Sequence, residues 1–119
     1  MDLGNILVVD DEEDIRNFLA TILNRAGYRV GRAADPHQAL DLLHKMPYEL
    51  LITDLAMPGM NGLDLLDLLR QRNIKWPAIL ITSHPTAAIR DRVAAAGVRL
   101  IEKPLLNDTL FQSIHSSFS

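Results

Sequence analysis

Short apolar runs of strand length alternate with segments whose apolar residues recur every three to four positions, and the alternation repeats along the whole chain. Ile6-Leu7-Val8-Val9 opens the series as a strand buried on both faces. Ile15, Phe18, Leu19, Ile22, Leu23 and Ala26 follow at helical spacing, and Gly27 stands where a left-handed cap would end that helix. Tyr28 to Arg32 reads as a second strand. Asp35-Pro36 then offers an N-cap and a first-turn proline for a helix that buries Ala39, Leu42, Leu43 and Met46 and stops at Pro47. Leu50 to Thr53 is the third strand, Met57 to Gly62 is loop chemistry, and a leucine-rich helix runs from Leu63 to Gln71. Trp76-Pro77 introduces the fourth strand, Ala78 to Thr82. An alanine-rich helix from Thr86 to Ala96 ends at Gly97. Arg99 to Glu102 forms the fifth strand, and a last helix carries Leu110, Phe111, Ile114 and Phe118, capped near Asn107.

Such alternation predicts an α/β fold: a single doubly wound, five-stranded parallel sheet with five helices on its two faces and right-handed crossovers. Five strands fit the flavodoxin-like order 2-1-3-4-5, in which strands 1 and 3 flank the switch point and ligands bind beyond the carboxyl ends of the strands. A chain of 119 residues supports one core, and no repeat or linker divides it, so residues 1–119 are expected to form one domain. The chain has no cysteine, which leaves no disulfide, thiol nucleophile or thiolate metal site. Met1-Asp2-Leu3-Gly4 lacks a targeting pattern, and no apolar run approaches the ~18 residues that span a bilayer. A cytoplasmic domain without membrane contact is expected. The net charge of −3 argues against direct nucleic-acid binding, which draws on a basic face.

The acids are bunched at Asp10-Asp11-Glu12-Glu13-Asp14. Glu12, Glu13 and Asp14 suit the positive end of a helix dipole, whereas Asp10 and Asp11 directly follow an apolar strand. The strand ends share one rim in a parallel sheet: the first strand ends in Asp10-Asp11, the third in Asp54, the fourth in Thr82-Ser83 and the fifth in Lys103-Pro104. Carboxylates packed this closely resist joint ionisation unless a cation joins them. An all-oxygen ligand set points to a hard dication, and magnesium, which keeps waters and accepts phosphate oxygens, fits better than calcium. Asp54, ending an inner strand beside the switch point, is the candidate nucleophile toward phosphorus, with Asp10 and Asp11 holding the metal. Lys103 and the Thr82 hydroxyl would stabilise charge on the phosphoryl oxygens.

Val8-Val9-Asp10-Asp11-Glu12, Asp54-Leu55-Ala56-Met57-Pro58-Gly59-Met60-Asn61-Gly62, Ile81-Thr82-Ser83 and Glu102-Lys103-Pro104 together closely resemble the receiver domain of bacterial two-component response regulators, over essentially the whole chain. The resemblance implies a phosphoacceptor signalling switch, not an enzyme with turnover, although such a domain assists its own phosphorylation and dephosphorylation. It implies that Asp54 takes a phosphoryl group from the phosphohistidine of a sensor histidine kinase or phosphotransfer protein. Mg²⁺, or Mn²⁺ in its place, would be held by Asp11, Asp54 and the backbone carbonyl of Ala56, with Asp10 helping through water. Thr82 would bond the phosphoryl oxygens and shift on activation, Lys103 would pair with them, and a cis Lys103-Pro104 bond is expected. Residues at the positions of Ala56 and His84 tune phosphoryl lifetime in the family.

One departure stands in the fifth strand: many receivers carry Phe or Tyr three residues before the lysine, where this chain has Leu100. Either the switch works through Thr82 and Leu100 with smaller surface consequences, or readout uses another face. A non-phosphorylated, receiver-like interaction scaffold is the alternative reading. A phosphohydrolase is disfavoured because Ala56 stands where a second acid is expected. If the end after the fifth helix is the natural one, output is expected through contact with a downstream protein; if the chain is cut from a larger regulator, a further effector carries it, and the domain acts as a monomer or a phosphorylation-dependent dimer. Arg90, Arg92 and Arg99 offer cations near that output region. His37, His44 and His115 read as surface residues, and Trp76 and Met60 as packing.

Overall fold

The computed structural model describes residues 3–56, 60–83, 85–103 and 107–118. In chain order the elements are β1 (Asn5–Val9), α1 (Glu13–Ala26), β2 (Arg29–Ala33), α2 (Pro36–Leu43), β3 (Leu50–Asp54), α3 (Gly62–Gln71), β4 (Ala78–Thr82), α4 (Ala87–Ala96), β5 (Arg99–Glu102) and α5 (Asn107–Phe118). All strand pairs are parallel and the order is β2-β1-β3-β4-β5, the doubly wound arrangement the alternation implies.

Strand alternation sends core residues to both faces of the sheet. Ile6, Val8, Leu50, Ile52, Ile79, Ile81 and Ile101 face Leu19 and Leu23 of α1 and Leu110 and Ile114 of α5. Leu7, Val9, Leu51 and Ala78 face α2 and α3 through Ala39, Leu65, Leu66 and Leu69. A third group, Leu55, Leu63, Leu80 and Val93, seats α4, and the half-buried Leu100 packs against it. Because β1, β3 and β4 are covered on both sides, they read as unbroken apolar runs rather than as alternating ones.

The helix ends follow local chemistry. Asp35 caps α2 by accepting the Gln38 N–H at 2.9 Å, with Pro36 in the first turn. Asn61 and Asp64 form a reciprocal capping box at the start of α3. Gly27 and Gly97 end α1 and α4 at φ values of 105° and 69°, the left-handed region that glycine enters without cost.

Three expectations are corrected. β2 is shifted by one residue, because its register with β1 runs from Asn5–Arg29 to Val9–Ala33. α2 ends at Leu43 rather than at Pro47, since His44, Lys45 and Met46 close a turn onto Asp41 and Leu42 before the proline is reached. Phe18 is 44% exposed and Ala26 is exposed: the buried face of α1 is rotated toward Ala20, leaving Phe18 on its rim, and Ala26 sits at the helix end. The loop residues Met57, Pro58 and Gly59, the position of His84, the Lys103-Pro104 bond and the cap before α5 lie outside the described residues.

Candidate functional site

Each acid of interest is delivered by a strand end. The Asp10 N–H donates to the Ala33 carbonyl at 3.1 Å, fixing the chain as it leaves β1. Asp10 is 1% exposed, and its Oδ1 accepts the Glu12 N–H at 2.8 Å, while its Oδ2 is buried without a hydrogen-bond partner among the described residues. Arg16 steadies the same turn by donating to the Asp10 carbonyl at 2.8 Å. Asp54 closes β3 at 5% exposure, and its Oδ1 accepts the Ala56 N–H at 3.3 Å. Asp11 is exposed at the mouth. Carboxylate oxygens of Asp10, Asp11 and Asp54 all lie within 4.8 Å of one another.

The opposite wall comes from β4 and β5. Thr82, buried at the end of β4, accepts the Lys103 N–H through its carbonyl at 2.8 Å, which places the lysine just after β5 against the acids. The Lys103 ammonium stands 3.6 Å from Asp54 Oδ2 and 3.8 Å from Glu12 Oε1. Asp11, Glu12, Asp54, Ala56, Thr82 and Lys103 line one pocket of about 320 Å³. A larger hollow of about 550 Å³ lies on α5 around Phe111 and His115, but α5 supplies all its described lining and it gathers no comparable set of charges.

Burial sets the electrostatics. Desolvation pushes Asp10 up to about 6; the Glu12 N–H and Lys103 oppose this, while Asp54 and Glu12 add to it. Asp54 is raised as well, again by burial first, with Lys103 and the Ala56 N–H working against it and Asp11 and Glu12 reinforcing it. The pair is short of positive charge, and the orphaned Asp10 Oδ2 is an acceptor without a donor. This all-oxygen set fits a hard divalent cation.

The remaining sequence candidates are placed as follows. Ala56 is exposed at the pocket, and Leu100 pairs in register with Leu80. Arg90 reaches Glu102 across the surface at 3.6 Å. His37, His44 and His115 are exposed on or beside their helices, Trp76 stacks edge-on against Tyr48, and Met60 packs against the second core cluster. Glu12, read from sequence as a helix-start acid, faces the pocket, and no one-dimensional signal distinguishes it from Glu13.

The family model for the response regulator receiver domain matches residues 6–115. The chain belongs to the response regulator receiver domain family. This receiver domain is 39% identical over 113 residues to a putative NtrX-like response regulator of Rickettsia bellii, covering 92% of this chain and 24% of that protein. It is 30% identical to the transcriptional regulatory protein FixJ of Bradyrhizobium diazoefficiens, covering 96% of this chain and 56% of FixJ. Its fold superposes on the Vibrio cholerae chemotaxis protein CheY4 with a TM-score of 0.88 at 27% identity, covering 96% and 98% of the two chains. The chain spans about a quarter of the length of the NtrX-like relatives it matches. Receiver domains are regulatory phosphoacceptors of two-component systems, phosphorylated on aspartate, that generally bind Mg²⁺ at an acidic pocket and interact with sensor kinases and downstream effectors. Among the described residues no helix is long and apolar enough to cross a membrane.

Proposed function

We propose that this receiver domain is a Mg²⁺-dependent switch in which Asp54 accepts a phosphoryl group from the phosphohistidine of a sensor kinase or phosphotransfer protein. The observation that carries the reading is the placing of the Asp54 carboxylate: buried at the rim, 3.6 Å from the Lys103 ammonium and beside Asp10 and Asp11. Asp11, Asp54 and the Ala56 carbonyl would hold the metal, with Asp10 acting through water. When bound, the cation supplies charge neutralisation for the carboxylates and the phosphoryl oxygens.

The protein's own groups do the rest. Asp54 attacks phosphorus through one carboxylate oxygen while the bond from phosphorus to the imidazole nitrogen breaks, and the imidazole leaves with the electron pair. Lys103 pairs with the equatorial oxygens, and the Thr82 hydroxyl bonds one of them. Water later cleaves the acyl phosphate, which limits the lifetime of the signal. Thr82 and Leu100 carry the change to the α4–β5–α5 surface, where Leu100 replaces the larger aromatic residue with a smaller displacement. Residues 1–119 act as one receiver unit in the cytoplasm, and its switched surface is what a downstream partner or effector reads.

Incubation with Mg²⁺ and acetyl phosphate or phosphoramidate, followed by intact-mass measurement, tests the reading. One added phosphoryl group, lost in Asp54→Ala and with EDTA, is expected. No gain with either donor overturns it in favour of a non-phosphorylated scaffold.

A further inference from the structure

Glu12 occupies the N-cap of α1, where short polar side chains are favoured because they turn back onto the first-turn N–H groups. Its side chain makes no capping hydrogen bond. It reaches across the pocket mouth instead, with Oε1 3.8 Å from the Lys103 ammonium, which lies 3.6 Å from Asp54 Oδ2. The Glu12 side chain is 59% exposed and that of Lys103 13%, so one cation is shared between an inner, buried carboxylate and an outer, solvent-facing one. The backbone of Glu12 is pinned on both sides: its N–H donates to Asp10 Oδ1 at 2.8 Å, and its carbonyl accepts the Arg16 N–H at 3.0 Å. A cap residue that does not cap, and touches the pocket's cation instead, breaks a local rule where the gain lies in the site.

We propose that Glu12 is a positioning and specificity-determining residue: it holds Lys103 between itself and Asp54, and so makes the pocket discriminate against small dianionic phosphodonors. The inference rests on the phosphoacceptor reading above. Incoming phosphoryl oxygens need the Lys103 ammonium. To provide it, Lys103 must leave Glu12, whose carboxylate then stands uncompensated at the mouth and repels the donor in proportion to the donor's charge. Acetyl phosphate arrives as a dianion near neutral pH, whereas phosphoramidate arrives as a singly charged zwitterion. In both cases an Asp54 oxygen bonds to phosphorus. Either the bond from phosphorus to the acyl oxygen breaks and acetate leaves with the electron pair, or the bond to nitrogen breaks and ammonia leaves with it.

The test compares wild type, Glu12→Gln and Glu13→Gln, the last removing the same charge one residue further along. Phosphorylation is followed by intact mass at saturating Mg²⁺ with each donor and at two ionic strengths. Glu12→Gln is expected to accelerate labelling by acetyl phosphate about three- to tenfold over Glu13→Gln, to change labelling by phosphoramidate less than about twofold, and to lose most of the difference in high salt. In metal-free protein the nitrogen resonance of the Lys103 ammonium is expected to move in Glu12→Gln and to stay in place in Glu13→Gln. Equal behaviour of the two variants toward both donors, or an unmoved Lys103 resonance, overturns the proposal while wild type is still labelled on Asp54. Absence of Asp54 labelling in wild type with either donor overturns the phosphoacceptor reading along with it.

Discussion

A Cβ built on Gly62 would stand 2.6 Å from the main-chain oxygen of Asp54, so the start of α3 rests directly on the end of β3. The same Cβ would meet Thr53 Cγ2 at 3.0 Å and Leu80 Cδ2 at 3.2 Å, and the Gly62 N–H donates to the Leu55 carbonyl at 2.9 Å. Alanine is the better helix former by up to ~1 kcal/mol, yet the backbone oxygen cannot move aside without shifting Asp54. Gly62→Ala is therefore expected to lose a net ~1–2 kcal/mol in chemical denaturation and to slow Asp54 labelling. A variant at least as stable as wild type, with unchanged labelling, would refute the contact.

Asp10 gives stability a pH dependence whose sign follows from burial. Its folded pKa of about 6 lies above the ordinary carboxylate value, so the folded state holds the proton more tightly than the unfolded one. That contribution is fully present below the unfolded value near 4 and is lost as pH rises through about 6. In metal-free protein Asp10→Asn should gain ~1–2 kcal/mol at pH 7.5 and close to nothing at pH 4. Thermal melts across that range measure it, and a loss of stability at neutral pH would show that the carboxylate is well solvated or compensated.

Added Mg²⁺ should reverse the order. A ligand that binds only the folded state stabilises it in proportion to its affinity, and wild type presents the full set of carboxylates within 4.8 Å. The melting temperature of wild type is expected to rise with Mg²⁺ and to fall back with EDTA, and Asp10→Asn should respond less. Identical Mg²⁺ responses in the two proteins would mean that Asp10 takes no part in binding.

Lys103 counters the upward push on Asp54, and its side chain is 13% exposed at the pocket wall. Lys103→Ala should keep the fold, with a stability cost of ~1 kcal/mol or less, while Asp54 moves further up and the spectral changes that accompany phosphorylation shrink. A collapse in melting temperature instead would make the lysine a structural residue.

Gly31 of β2 lies against the Tyr48 ring, where an added Cβ would overlap the phenolic oxygen and approach the adjoining ring carbon at 2.7 Å. Gly31→Ala is expected to cost ~2 kcal/mol, because Tyr48 is 3% exposed and has little room to withdraw. Tyr48→Phe, by removing the oxygen, should recover part of that loss in the double variant. Simple additivity of the two changes would show that the contact is relieved elsewhere.

Much of this molecule is legible along the chain because its signals are local. Apolar strand runs, the Asp35-Pro36 helix start and the glycine stops at Gly27 and Gly97 each act over a few residues, and the structure keeps all of them. The one-residue shift of β2 was not legible, since pairing register is decided by the neighbouring strand. Nor was the exposure of Phe18, since periodicity marks a stripe but not which edge of it the sheet covers.

By itself the sequence determined the order of elements, the residue types at each strand end and the match of those residues to the receiver family. Tertiary structure decided what no spacing encodes: that Asp10 keeps an unpartnered buried oxygen, that Gly62 abuts the Asp54 carbonyl, and that Glu12 rather than Glu13 reaches Lys103. Local propensity acts between residues a few positions apart. Desolvation and charge pairing act between residues that only the folded sheet brings together.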